Sequence, residues 1–250
     1  DTPLQTIKKV GVIGAGTMGG GISMNFANVG IPVKILEMDQ AALDKGLGIV
    51  KKNYEASAWK GRISSEDVEV RMGLIEGTTN YSDLKDVDLV IEAVFENMDV
   101  KKEVFSKLNE TVSENTILAS NTSYLDIDEI ATVVDNPERV LGMHFFSPAN
   151  IMRLLEIIKA EKTSPAILAT VLKLAKSIKK VGAVAGVCHG FIGNRMLTGY
   201  SREANLLVLE GAPPEQVDRV LYEFGMPMGV IAMADMAGID IGTRLRQQMD

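Results

Sequence analysis

From VGVIG at 10–14 to AVAGVCHG at 183–190, apolar runs of strand length alternate with stretches of helical period. This alternation is the pattern of a mostly parallel sheet covered by helices, so the chain reads as α/β. VGVIG is the expected first strand and 17–29 its helix; VKILE at 33–37 is a second strand, followed by a long helical stretch with Leu43, Leu47, Val50 and Tyr54 on one stripe. DLVIEAV at 88–94 reads as a third strand and TILASN at 116–121 as a fourth, with a helix over 99–112 between them. LDIDEIATVV reads as a helix, and RVLGMHFF and RLLEIIK as the last two strands. Ser164 and Pro165 suit the cap and first position of a helix that turns Ile167, Val171, Leu174 and Ile178 inward.

Beyond AVAGVCHG the periodicity is helical only, with Gly211 and Gly225 where C-caps belong. We therefore expect two domains, an α/β domain over 1–187 and an all-α domain over 188–250. The chain starts without methionine and stops on TRLRQQMD inside a charged helical pattern, so the helical domain is expected to be incomplete and the chain to be a piece of a longer protein.

A hydrophobic content of 46% and a charged content of 24% are those of a folded globular chain. The net charge of -7 opposes nucleic acid and anionic lipid as partners. One cysteine, Cys188, can form neither an internal disulfide nor a cysteine-rich zinc site, and no metal site is expected. No apolar run approaches the roughly 20 residues that span a bilayer, so no membrane insertion is expected.

The first chemical signal is GAGTMG, a GxGxxG at Gly14, Gly16 and Gly19 that leaves a strand and opens a helix. The first glycine allows the tight turn, the second lets backbone approach a pyrophosphate, and the third packs helix on strand. Phosphate then rests on the helix N-terminus, with Thr17 and Met18 among the cofactor-binding positions. This makes the α/β domain Rossmann-type. Glu37, at the end of the second strand, suits the ribose hydroxyls of NAD and repels the extra phosphate of NADP; the alternative is a solvated strand-end charge.

Strand C-termini in such sheets line the ligand crevice, which places Ala93, Glu96 and Lys101, beside Glu92, within reach of a cofactor. Solvated charges opening a helix explain the same residues equally well. SNTS at 120–123 leaves a strand in the same direction, and on residue type alone the turn reading is favoured over ligand binding.

A dinucleotide site implies hydride transfer, and oxidising an alcohol needs a group to take the hydroxyl proton. Only His144 and His189 are available. His144 lies on a strand facing the crevice, and Glu156 reaches it if 139–145 and 153–159 pair across the intervening loop. A carboxylate beside the imidazole holds its tautomer and favours the imidazolium. A hydrogen-bonded core histidine and an unrelated glutamate are the alternative.

GAGTMG, VIEAVFENMDVKKEVF, ASNTS, GMHFFSPANIMRLLEI, GFIGNR and FGMPMG, in this order, resemble the L-3-hydroxyacyl-CoA dehydrogenase family over nearly all of the chain. HFFSP and FGMPMG most resemble the dehydrogenase part of multifunctional fatty-acid β-oxidation enzymes. The resemblance implies oxidation of (S)-3-hydroxyacyl-CoA with NAD as cofactor. His144 then matches the general base, Glu156 its carboxylate partner, Ser123 the residue bonded to the reacting oxygen, and Asn194 an amide completing the substrate site. Glu37, Ala93, Glu96, Lys101, Ser123 and Ser147 match NAD-contacting positions, and Asn53 and Lys60 fall near positions that touch coenzyme A. An acyl-CoA substrate, a preceding hydratase domain and a homodimer are the implied partners. Bacterial cytoplasm is the expected location, with mitochondrion and peroxisome left open. The family's further helices and tail do not follow, and Val230 and Ile231 replace its Pro-Phe after MPMG. Apolar surface on NRMLTGY and VLYEFGM is therefore expected to be uncovered, leaving open that this piece alone is inactive. A related hydroxyacid or sugar-acid dehydrogenase and a non-catalytic NAD-binding relative are the rivals.

Overall fold

In the computed structural model, residues 2–237 are described and the chain divides into two compact units, 1–191 and 192–250. The helical pattern expected over 243–250 lies outside the described residues.

The first unit runs β1 (Val10–Ile13), α1 (Thr17–Ala27), β2 (Val33–Leu36), α2 (Gln40–Trp59), α3 (Ser65–Gly73), β3 (Ile75–Thr78), β4 (Leu89–Glu92), α4 (Met98–Thr111) and β5 (Ile117–Ser120). It continues through α5 (Ile127–Ala131), β6 (Val140–Phe145), β7 (Leu154–Lys159), α6 (Pro165–Ser177) and β8 (Val181–Gly186). The strands form one 8-stranded sheet in the order β3-β2-β1-β4-β5-β6-β7-β8. Every pairing is parallel except β6 with β7.

The central strands are buried from end to end, as strands covered on both faces must be. Alternate side chains feed two cores. Val10, Val12, Leu89, Ile91 and Met143 join one with α1, α2 and α6. Ile13, Val90, Leu118 and Val140 join the other with α4 and α5. The order reverses between β1 and β4, which opens a crevice beyond their C-terminal ends. Ser164 caps α6 as its sequence suggests, its Oγ accepting from the Ile167 amide.

Two strands escape the sequence pattern. β3 is the four-residue edge segment IEGT, whose Glu76 is exposed and whose Gly77 carries no apolar side chain. β8, VGAVAG, is an edge strand of small residues with only Ala185 buried, so it resembles a linker. DLVIEAV is consequently the fourth strand rather than the third, and TILASN the fifth. The first compact unit runs through Phe191, which is buried in the core beneath α4 and α5.

In the second unit, α7 (Gly193–Leu209), α8 (Pro214–Phe224) and α9 (Val230–Ala237) join around Ala204, Val217 and Val230. Gly211 and Gly225 hold the left-handed conformation expected after α7 and α8, with φ of 108° and 109°. Asp218 caps α9, its carboxylate accepting from the Ile231 and Ala232 amides at 2.9 and 2.8 Å. Met196 in NRMLTGY and Val220, Tyr222 and Phe224 in VLYEFGM are exposed apolar residues, as expected, and Leu209 is another of this unit.

Candidate active site

The glycine turn between β1 and α1 abuts the end of β4. Gly14 has φ 98°, and a Cβ there would lie 2.8 Å from the Ala93 carbonyl oxygen. Gly19 approaches the same turn so closely that its Cβ would meet the Gly14 oxygen at 1.8 Å. Gly16, by contrast, is exposed with open space where a Cβ would stand. It caps α1 without a side-chain hydrogen bond, and the first turn carries no acid. The leading amides of α1 are thus presented to an anion, with Thr17 exposed and Met18 half-buried beside them.

Glu37 is held at this turn. Its Oε2 accepts from the Ala15 amide at 3.1 Å and its Oε1 from the Met38 amide at 2.9 Å. It lines a cleft with Gly14, Tyr81, Val94 and Lys107. A fixed carboxylate at the end of the second strand, beside this turn, could hold the adenosine ribose of a dinucleotide and would disfavour a second phosphate.

Across the crevice, the β6–β7 pairing puts His144 directly opposite Glu156. Both are buried, at 4% and 0% exposure. His144 Nδ1 lies 2.7 Å from Glu156 Oε2, and its Nε2 lies 3.2 Å from Ser123 Oγ. With Glu156 a carboxylate, Nδ1 carries the hydrogen and donates, leaving the Nε2 lone pair turned toward Ser123. The rings of Phe146 and Phe191 lie 4.4 and 5.9 Å from the imidazole and wall it. The arrangement can take a proton from a hydroxyl brought to Nε2 and hold the resulting charge against Glu156.

Ser123 stands in a turn that Glu96 organises. The Glu96 carboxylate accepts from the Thr122 hydroxyl, from the Ser123 amide at 2.8 Å and from the Tyr124 amide at 3.2 Å. Asn121 Oδ1 accepts from the Phe145 amide at 2.8 Å and joins this turn to the end of β6. Beneath it Glu92, 0% exposed, accepts from Ser120 Oγ at 2.6 Å, the Val94 amide at 2.7 Å and Lys101 Nζ at 2.7 Å. Lys101 is 1% exposed and also reaches Glu96 Oε2 at 3.3 Å. The alternative of solvated charges therefore fails for Glu92 and Lys101, which form a buried ion pair.

Of the other expected positions, Ala93 lies at the glycine turn and Ser147 is exposed just past β6. The loop after Ser147 is clamped from below: Lys180 Nζ donates to the Ala149 and Met152 carbonyls at 2.7 Å each, and Asn25 Nδ2 donates to the Ala149 carbonyl at 3.0 Å. Burial pushes the Lys180 ammonium below its usual range. Asn53 and Lys60 are exposed along and at the end of α2. Asn194 lies in the first turn of α7, in the other unit. The sequence reading gave no role of its own to Asn121, although it lies within SNTS, and it missed Lys180 and Asn25, which sit in no motif. It also missed the ion-paired state of Lys101, which residue type cannot reveal. Among the described residues no cluster of three or more His, Cys, Asp or Glu could hold a metal, and no helix is long and apolar enough to cross a membrane.

The family profile described as "3-hydroxyacyl-CoA dehydrogenase, NAD binding domain" matches residues 9–188, and that of the "3-hydroxyacyl-CoA dehydrogenase, C-terminal domain" matches 190–250. The chain belongs to the 3-hydroxyacyl-CoA dehydrogenase family. Its dinucleotide is accordingly NAD. Kinship with multifunctional enzymes also holds: the chain is 45% identical over 244 residues to the peroxisomal bifunctional enzyme of Cavia porcellus, with 97% of this chain aligned. It spans 33% of that protein's length. Among solved structures it is similar to M. tuberculosis FadB2, with 34% identity and a TM-score of 0.92, covering 94% of this chain and 84% of that one. It is also similar to the (S)-3-hydroxybutyryl-CoA dehydrogenase PaaH1 of Ralstonia eutropha, with 38% identity, a TM-score of 0.90 and the same coverage.

Proposed function

We propose that this 3-hydroxyacyl-CoA dehydrogenase chain oxidises (S)-3-hydroxyacyl-CoA to 3-ketoacyl-CoA, as a part of fatty-acid β-oxidation. The observation that carries the reading is the line Glu156–His144–Ser123, with its imidazole nitrogens 2.7 and 3.2 Å from carboxylate and hydroxyl. His144 Nε2 takes the proton of the C3 hydroxyl, and Glu156 stabilises the imidazolium that forms. NAD+, when bound, accepts the C3 hydrogen as hydride. Ser123 donates to the reacting oxygen, and by the family pattern Asn194 is the second group that orients the substrate. In the reverse direction the imidazolium returns the proton.

The α1 N-terminus at Gly16–Gly19 holds the pyrophosphate, and Glu37 the adenosine ribose. By the family pattern Ala93, Glu96, Lys101, Ser123 and Ser147 complete the cofactor site, and Asn53 and Lys60 meet coenzyme A. A hydratase domain earlier in the full-length protein and a homodimer are part of the same reading. Relatives from animals and plants carry peroxisomal and glyoxysomal names, which supports a peroxisomal setting beside the bacterial cytoplasm first expected.

The test follows NADH absorbance in the intact protein with acetoacetyl-CoA, a longer 3-ketoacyl-CoA and free acetoacetate. The reading expects oxidation of NADH with the CoA thioesters. Turnover of the free acid alone would replace it with a CoA-independent hydroxyacid dehydrogenase, and turnover of none with a non-catalytic NAD-binding protein.

A further inference from the structure

We propose that Lys101 is a positioning residue for the reaction: bridging Glu92 and Glu96, it fixes the carboxylate that sets the turn bearing Ser123. The inference rests on the reading above that Ser123 orients the reacting oxygen.

Lys101 sits in the first turns of α4, where a cation is disfavoured by the helix dipole. It is also almost wholly out of solvent, so neither helix stability nor solubility accounts for it there. What offsets these costs is its pair of carboxylates, at 2.7 Å from Glu92 and 3.3 Å from Glu96. Glu92 is itself pinned to the sheet by Ser120 Oγ and the Val94 amide. A continuous path therefore runs from the ends of β4 and β5 through Lys101 to Glu96. From Glu96 it passes to three donors of one turn, Thr122 Oγ1 and the Ser123 and Tyr124 amides. The turn ends in the hydroxyl that lies 3.2 Å from His144 Nε2. One buried cation between two carboxylates fixes both by charge-assisted bonds, and a shift of about 1 Å at Ser123 is enough to cost catalysis heavily.

The test compares the intact wild-type protein with Glu92→Gln/Lys101→Met, which removes one buried charge of each sign so that the fold is not left with an unpaired carboxylate at Glu92. The same pair of changes is made in a Ser123→Ala background. We expect kcat to fall about 10- to 100-fold in the wild-type background and less than about threefold when Ser123 is already absent, the non-additivity of groups acting as a unit. With NAD saturating in every assay, amide exchange over 121–125 quickens. Equal losses of kcat in both backgrounds would overturn the proposal, and so would a kcat retained in the wild-type background. A wild-type protein inactive on 3-ketoacyl-CoA sinks the functional reading, while exchange at 121–125 still decides the positioning role: unchanged exchange there refutes it.

Discussion

Gly46 of α2 approaches the glycine turn so closely that a Cβ at that position would lie 2.1 Å from the carbonyl oxygen of Ala15. Helix α2 can pack against the phosphate turn only because this side chain is missing.

Gly46→Ala should therefore be as damaging as Gly19→Ala, although it lies outside the glycine motif. Overpacking of this kind costs about 1–3 kcal/mol, and a backbone clash lies at the upper end, read as a large fall in melting temperature with weakened NAD binding. Gly48→Ala is the control: nothing lies within 4 Å of its Cβ, so it should gain up to about 1 kcal/mol.

Glu156→Gln should lower kcat about 10²- to 10⁴-fold, the range of a lost general acid–base contribution. The amide can donate to His144 Nδ1, which turns the imidazole to the tautomer with a protonated Nε2 that cannot accept a proton. NAD binding, measured by calorimetry, should hold. A variant retaining normal turnover would remove the carboxylate from the mechanism.

These two predictions differ in how much of their basis the sequence carried. The alternation of strands and helices and the turn at Gly14–Gly19 were legible, because period and glycine spacing are local properties; the His144–Glu156 contact was readable only as conditional on two strands pairing, with a core histidine and an unrelated glutamate as the alternative. Gly46 was not legible: its role depends on a contact between α2 and the turn thirty residues earlier, and a glycine inside a helix carries no mark of its neighbour. Glu92 and Lys101 were unreadable for a related reason. Charged residues near a helix start look alike whether solvated or paired in the interior. β3 and β8 were lost because edge strands need no apolar alternation.

Glu37→Gln should weaken discrimination against NADP by about tenfold, since the repulsion between carboxylate and a 2′-phosphate disappears. The amide oxygen can still accept from Ala15 or Met38, so folding should change little. The ratio of kcat/KM for the two cofactors is the measurement.

Tyr54 links α2 to α1, its hydroxyl 3.0 Å from Asn28 Oδ1. Burial raises its pKa from 10.0 to about 12, against a smaller opposing effect of the Arg71 charge. The folded state thus retains a proton that the unfolded chain loses from about pH 10 upward. Stability attributable to Tyr54 should be intact below pH 10 and fall between pH 10 and 12, by about 1 kcal/mol at pH 11. Denaturant unfolding of Tyr54→Phe across this range should show a shallower loss than wild type.

The single antiparallel pairing in the sheet, β6 with β7, has a consequence for how this chain can vary. His144 and Glu156 are cross-strand neighbours joined by one short connection, so a one-residue slip of β7 would carry Glu156 through to the opposite face of the sheet. Length changes are tolerable in the outlying loops, but between Phe145 and Leu154 a single added or lost residue that shifts the strand alignment would disarm the imidazole while leaving every side chain of the dyad in the sequence.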